Sequence, residues 1–393
     1  MKAREIRPGI LWMGAIDWER RLFDELIPLP EGTSYNAYFL QGSEKTALID
    51  TADPAKSDAL MAQLESVPRL DYLIIQHVEQ DHSGSATLVL AKYPEVQVIA
   101  SPKAVPMIED HLGIPASQIQ AMADGDTLSL GNWTLEFIHA PWVHWPETML
   151  TYLREEKVLF TCDFFGSHLA TDALFSEDGS RVCEPAKRYY AEIMMPFANL
   201  IKGHLRRLAD YEIEIIGPSH GPAHNRPQWI LDAYEHWAHD APKNLVVIPY
   251  TSMHDSTSLM VDYLIEALID RDVHVHSFHM SKTDLGEYAI HLVDAATVVF
   301  GTPTVLVGPH PSIVLASYLT AALRPKLRNA AVIGSFGWAS KAAEKTKDLC
   351  GGLQVDWMEP VFTKGLPKRE TYEALDRLAD EIATRHRGLE TGA

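Results

Sequence analysis

The sequence predicts an α/β protein built from two unlike parts, and three observations carry that expectation. Residues 34–220 contain short apolar strands that end on Asp, His or Ser, residues 244–359 alternate buried apolar runs with helical stretches, and the charge divides with them. Residues 1–242 hold 19 basic and 35 acidic side chains, a net of −16, whereas residues 243–393 hold 15 and 18, a net of −3. At 393 residues the chain is longer than one hydrophobic core usually fills. The divide is expected within 236–244, giving domains at 1–242 and 243–393.

In the first part the expected strands are, in order, SYNAYFLQG, EKTALIDTA, DYLIIQH, VQVIASP, TLEFIHAP, MLTYLREEKVLFTCD and YEIEIIGPSH. Their polar ends collect where loops carry chemistry on a rigid scaffold. In the second part NLVVIPY, VHVHSF, ATVVFGTP, NAAVIGSFG and LQVDWME are separated by the helices SLMVDYLIEALIDR and SIVLASYLTAALR. Strand–helix alternation of this kind predicts a doubly wound parallel sheet, with ligands at the carboxyl ends of its strands.

Composition narrows the function classes. With 46% hydrophobic and 22% charged residues the chain packs as an ordinary globule. A net charge of −19 argues against nucleic acid. No apolar run approaches the ~20 residues of a membrane span, and charges interrupt the N-terminus where a signal peptide is apolar, so a soluble, cytoplasmic protein is expected. Three cysteines, Cys162, Cys183 and Cys350, form no CxxC pair. Any metal must therefore sit on His and carboxylates.

A candidate metal site follows the strand at 72–75. His77-Val78-Glu79-Gln80-Asp81-His82 places four ionisable side chains within six residues, and such crowding repels or desolvates unless a cation compensates it. His144 in HWPETM, Asp163 in LFTCDFFG and His220 in GPSHGP each follow an expected strand, with His224 an alternative to His220. Imidazoles and carboxylates without a thiolate suit two borderline-to-hard ions, iron or zinc, and Glu79 favours iron. In the second part, Thr251, Ser252, Met253, His254, Ser256 and Thr257 form a hydroxyl-rich turn before a helix. Such a turn suits a phosphate.

The HxExDH cluster, followed after 61, 18 and 56 intervening residues by His144, Asp163 and His220, resembles the diiron site of the flavodiiron proteins. GTSYNAYFL, LIDT, HWPETM, YYAEIMMPF and PSHGP are similar to that family as well. The resemblance implies a metallo-β-lactamase-like αββα sandwich followed by a flavodoxin-like domain. It implies one iron on His77, Glu79 and His144, a second on Asp81, His82 and His220, and Asp163 as the bridge; His168 would stand close by as a proton source. FMN would use the turn at 251–257, with Asp255 unusual there. Two further loops would flank its ring: Thr302, Pro303 and Thr304, with Leu306 where the family often has Asn, and Ser335, Phe336, Gly337 and Trp338. The implied activity is reduction of O2 to water or NO to N2O. Electrons would come from a separate donor, such as a rubredoxin-like protein, a flavin reductase or a reduced soluble cofactor. The implied assembly is a head-to-tail homodimer, or a dimer of such dimers, because flavin and irons of one chain lie too far apart for fast transfer. A binuclear zinc hydrolase and an electron carrier or sensor without turnover are the rival readings.

Overall fold

The computed structural model describes residues 2–176, 179–239 and 241–390. They fold as two compact units, one of residues up to 190 with 197–238, the other of 191–196 with 239 onward. In the first unit the chain opens with β1 (Arg4–Arg7) and β2 (Ile10–Asp17), passes through a small separate hairpin, β3 (Leu22–Phe23) and β4 (Ile27–Pro28), and continues with β5 (Thr33–Gln41) and β6 (Thr46–Ile49). Then come β7 (Tyr72–Ile75), β8 (Gln97–Ala100) and β9 (Ile119–Ala121), completing a sheet of order β1-β2-β5-β6-β7-β8-β9. Its first four strands pair antiparallel and the rest parallel. A second sheet runs β10 (Thr127–Ser129), β11 (Thr134–His139), β12 (Met149–Leu153), β13 (Val158–Cys162) and β14 (Ile215–Pro218) in sequence order.

Inward faces of the two sheets interdigitate: Trp12, Tyr38, Leu40, Ile49 and Ile74 meet Leu135, Phe137, Leu153 and Phe160 in one buried cluster. Leu48, Leu73 and Val98 point the other way and are covered by Leu60 and Leu64 of α1 (Ser57–Leu64), Val89 of α3 (Ala86–Lys92) and Ile108 of α4 (Ala104–Leu112), with the single turn α2 (Gln80–Ser83) between. Each such fully buried aliphatic side chain contributes about 1.5–3 kcal/mol. The architecture is the expected αββα sandwich, with α5 (Cys183–Tyr189), α6 (Ala198–Leu208) and α7 (Gln228–His239) following the second sheet in sequence or interrupting it.

Three local expectations change. The segment MLTYLREEKVLFTCD is not one strand but the hairpin β12–β13, turning where Lys157 has a φ of +53°. In YEIEIIGPSH only Ile215–Pro218 is extended; Tyr211 instead donates its hydroxyl to Glu136 Oε1 at 2.7 Å. β1 and β2 add two strands ahead of the first one expected. β2 is buried on both faces and so shows no alternation.

The second unit contains β15 (Lys243–Tyr250), α8 (Ser256–Ile269), β16 (His274–His279), α9 (Leu285–Leu292), β17 (Ala295–Val305), β18 (Gly308–Pro309), α10 (Pro311–Leu323), β19 (Asn329–Phe336), α11 (Ala342–Leu349), β20 (Asp356–Trp357), β21 (Val361–Lys364) and α12 (Arg369–Arg385). LQVDWME thus contributes only the two residues of β20. The sheet order is β16-β15-β17-β19, with β20 and β21 both parallel to β19. This is the doubly wound flavodoxin-like order, whose direction reverses between β15 and β17. Met260, Leu264 and Leu268 of α8 and Leu375, Leu378 and Ile382 of α12 cover one face. Among the described residues no helix is long and apolar enough to cross a membrane.

Candidate metal centre

β7 delivers His77 and Glu79 from the first sheet, and α2, directly behind them, delivers Asp81 and His82. Asp163 and His220 stand just past the ends of β13 and β14 in the second sheet, and His144 lies in the β11–β12 connection. All seven side chains converge at one edge of the sandwich, and all but His144 are buried. They fall into two groups. Ligand atoms of His77, Glu79, His144 and Asp163 lie within 4.8 Å of one another, as do those of Asp81, His82 and His220.

Asp163 touches both groups with different oxygens. Its Oδ2 lies 3.2 Å from His144 Nε2 and 3.6 Å from His77 Nε2, and its Oδ1 lies 2.8 Å from His82 Nε2 and 3.5 Å from His220 Nε2. Glu79 Oε2 is 3.0 Å from both His77 Nε2 and His144 Nε2, and Asp81 Oδ2 is 3.2 Å from His220 Nε2. Both Asp81 oxygens, both His82 ring nitrogens and Asp163 Oδ1 are buried without an aligned hydrogen bond. Buried polar atoms are seldom left so, and a pair of cations would satisfy the carboxylate oxygens and His82 Nε2, the nitrogen that faces Asp163 and Asp81. The donor set fits two irons.

Electrostatics make the same point. Burial pushes His82 and His144 down, but facing carboxylates outweigh it: Asp163 and Asp81 raise His82 to about 10, and Asp163 and Glu79 raise His144 to about 9. Burial pushes Asp163 up, yet the facing imidazoles hold it well below the usual carboxylate range. Asp163 is thus ionised and draws protons onto the facing rings, at positions where metal ions compete with those protons.

Backbone and neighbouring groups set the ring orientations. His220 Nδ1–H donates to Ser34 O at 2.7 Å, leaving Nε2 for the cluster. His77 Nδ1–H donates to Glu147 Oε1 at 2.9 Å. Glu147 belongs to the HWPETM segment, yet nothing in the segment marks it as a partner of a histidine 70 residues earlier. His224 lies outside the cluster: its Nε2–H donates to Phe165 O at 3.0 Å and its Nδ1 accepts from Ser176 Oγ at 2.8 Å. His168 stands beside the cluster, its ring 4.8 Å from that of His220 and its Nδ1 2.9 Å from Thr33 Oγ1. Burial and the nearby His220 hold it well below the usual imidazole range, and its Nε2 is buried without a partner.

In the second unit the turn at 251–257 follows β15, but Thr302, Pro303 and Thr304, expected in a loop, are the last paired residues of β17, and Ser335 and Phe336 close β19, with only Gly337 and Trp338 beyond it; the three strands are neighbours in the sheet. Thr251, Thr257, Thr302, Pro303 and Ser335 are buried, and Thr257 Oγ1 lies 3.2 Å from Ser335 Oγ, joining the first loop to the third. Thr304 Oγ1 lies 2.7 Å from Ser340 Oγ, joining the second to the third. Ser256 does not cap its helix; Ser252 Oγ accepts from Ser258 N at 3.2 Å, and Asp255 holds the cap position at a φ of +62° with its carboxylate exposed. Met253, His254, Gly337 and Trp338 are exposed, and Phe336 is half-buried. Leu306 is 91% exposed at the tip of the two-residue β17–β18 turn, where it and Val307 both have positive φ.

Residues 33–221 match the family described as "ODP family beta lactamase". The chain is 32% identical to the nitric oxide reductase of Moorella thermoacetica, covering 97% of this chain and 98% of that one. The structure of rubredoxin oxygen:oxidoreductase from Desulfovibrio gigas superposes with a TM-score of 0.94 at 30% identity, covering 98% of each chain. That of the flavodiiron protein from Giardia intestinalis gives 0.91 at 25% identity, covering 98% of this chain and 97% of that one. Likeness of this degree, sustained through both units and not the sandwich alone, establishes that the chain belongs to the flavodiiron protein family.

Proposed function

We propose that this protein is a flavodiiron reductase of O2, NO or both. FMN would lie across the turn after β15 and the carboxyl ends of β17 and β19, and two irons would be held by His77, Glu79 and His144 and by Asp81, His82 and His220, with Asp163 between them. The observation that carries this reading is Asp163, whose two oxygens each face a separate set of candidate ligands. Relatives named for nitric oxide and oxygen reduction support it.

When bound, the flavin and the iron pair supply the electron chemistry, two electrons each, that amino-acid side chains lack. O2 takes up four electrons and four protons to give two waters; two NO take up two of each to give N2O and water. This chain's residues hold the reacting centre and manage those protons. Ser34 O and Glu147 fix the rings of His220 and His77, and the Phe23 ring packs against that of His168, with centroids 5.4 Å apart. The unpartnered Nε2 of His168 is the atom proposed to hold or pass a proton there.

We assign the working unit as a head-to-tail homodimer. Exposed apolar side chains beside each candidate site support it: Trp18, Leu22, Leu26 and Trp142 near the metal cluster, and Met253, Leu306, Trp338 and Leu366 by the flavin loops. Such patches mark interaction surfaces. The donor is proposed to be a separate rubredoxin-like protein, flavin reductase or reduced cofactor, in the cytoplasm.

The test is elemental and flavin analysis of protein made with adequate iron, with NO and O2 consumption measured under a chemical reductant. Two irons and one FMN per chain with sustained consumption of either gas are expected. Zinc in both sites, no flavin and no gas uptake would overturn the reading.

A further inference from the structure

Glu147 has a fully buried side chain, three residues beyond His144 and just ahead of β12. A carboxylate so placed is costly unless donors compensate it. Its Oε1 accepts two hydrogen bonds, from His77 Nδ1–H at 2.9 Å and from Val78 N–H at 3.0 Å. Both donors belong to the loop that carries the metal cluster. The main chain around Glu147 is itself anchored: Ser101 Oγ donates to Glu147 O at 2.7 Å, and Met149 N to Gln76 O at 3.0 Å. Trp145 stands edge-on to the His77 ring, with centroids 4.9 Å apart and planes at 86°. His77 is therefore held by its nitrogen remote from the cluster and packed against an aromatic ring, while the amide of the next residue fixes the same carboxylate oxygen.

We infer that Glu147 is a positioning residue of the metal centre: it fixes the Nδ1–H tautomer of His77, presents Nε2 to the cluster and, through its charge, strengthens that imidazole as a ligand. The inference rests on the diiron reading. Carboxylates hydrogen-bonded to a ligating imidazole raise its basicity, and losing one typically costs about 10–100-fold in metal affinity or activity. A more basic ligand favours the oxidised metal, so removing the charge shifts the iron potential upward.

The test uses the FMN-loaded, iron-loaded protein and the variants Glu147→Gln, Glu147→Asp and Glu147→Ala. Gln keeps the volume and an accepting oxygen but removes the charge. Iron retention is read by competition with a chelator, and the midpoint potential of the iron centre by spectroelectrochemical titration. Expected for Glu147→Gln are retention weakened about tenfold, a more positive potential, and flavin content and unfolding temperature as in the wild type; Glu147→Asp recovers part of the retention. Wild-type retention and potential in Glu147→Gln overturn the inference while leaving the diiron reading standing. A wild-type protein that takes up no iron overturns both. Should Glu147→Ala fail to fold, the near-isosteric Gln variant decides.

Discussion

His386, at the C-terminal end of α12, is 3% exposed and spends both ring nitrogens inside the second unit: Nδ1–H donates to Asn244 Oδ1 at 2.9 Å, and Nε2 accepts from Thr297 Oγ1 at 2.7 Å. Burial pushes the imidazole from 6.5 to about 4, and the charge of Arg328 adds to the shift. The folded protein therefore binds fewer protons here than the unfolded chain between these two values. Stability from this residue is complete above the unfolded value and is lost as pH falls through the window. Between about pH 7.5 and 5.5 the linkage relation gives a loss of about 1.3 kcal/mol, or about ninefold in the unfolding constant. In His386→Gln that loss disappears. Hydrogen exchange of the buried β15 and β17 amides, corrected for the intrinsic pH dependence, measures it. Other titrating groups are common to both proteins and cancel in the comparison. Wild type should lose about ninefold more protection than the variant over this interval; equal losses would refute the neutral, buried imidazole.

Gly334→Ala places a Cβ 2.1 Å from Thr302 O and 2.9 Å from a Phe362 ring carbon, so calorimetry should show the second unit destabilised by about 1–3 kcal/mol. Glu79→His should lower gas consumption more than total metal and leave FMN unchanged, because it removes the carboxylate that favours iron; full turnover would show that Glu79 is not decisive. Iron uptake near pH 7.5 should release protons from His82 and His144, held near 10 and 9 in the metal-free chain, and chelators should strip iron more readily as pH falls. Unbuffered titration with ferrous iron reads the first, and a pH series the second. Mixing His82→Ala/His144→Ala chains with Ser256→Ala/Trp338→Ala chains should restore part of the activity that each lacks alone, whereas native mass spectrometry showing heterodimers without recovery would place electron transfer within one chain.

The convergence of the cluster could be anticipated from its density, because four ionisable groups crowded behind one strand need a common partner, and the later three each follow an expected strand. The residues that orient them could not. Ser34, Thr33 and Glu147 act on histidines 186, 135 and 70 residues away, and a carbonyl, a hydroxyl or a carboxylate looks the same in a sequence whatever it faces. Strands escape notice where the usual cues are absent. β2 is buried on both sides and carries Gly14 at a φ of +124°, which reads as a turn; in the fold a Cβ there would lie 2.0 Å from Tyr35 O, so only glycine lets β2 and β5 approach. In YEIEIIGPSH the alternation of Tyr211–Glu214 reflects a solvent-facing ladder of acidic groups. Lys157 Nζ reaches Glu212 at 2.6 Å and Glu214 at 3.4 Å.

β14 pairs in parallel with β13, and a parallel neighbour is reached only by a long crossover. Here that crossover contains α5 and α6. During synthesis His77 through Asp163 emerge first, Asp163 at the end of the β12–β13 hairpin, yet His220 takes its place only after the crossover has packed and β14 has docked. Non-local pairing of this kind is slow to form. Until it forms, the group of Asp81 and His82 lacks His220, while the group of His77, Glu79, His144 and Asp163 is drawn from residues that precede the crossover. Correct metallation is therefore a question of folding order as much as of ligand chemistry, and a mutation that slows docking of β14, far from any ligand, would show itself as wrong metal in a well-folded protein.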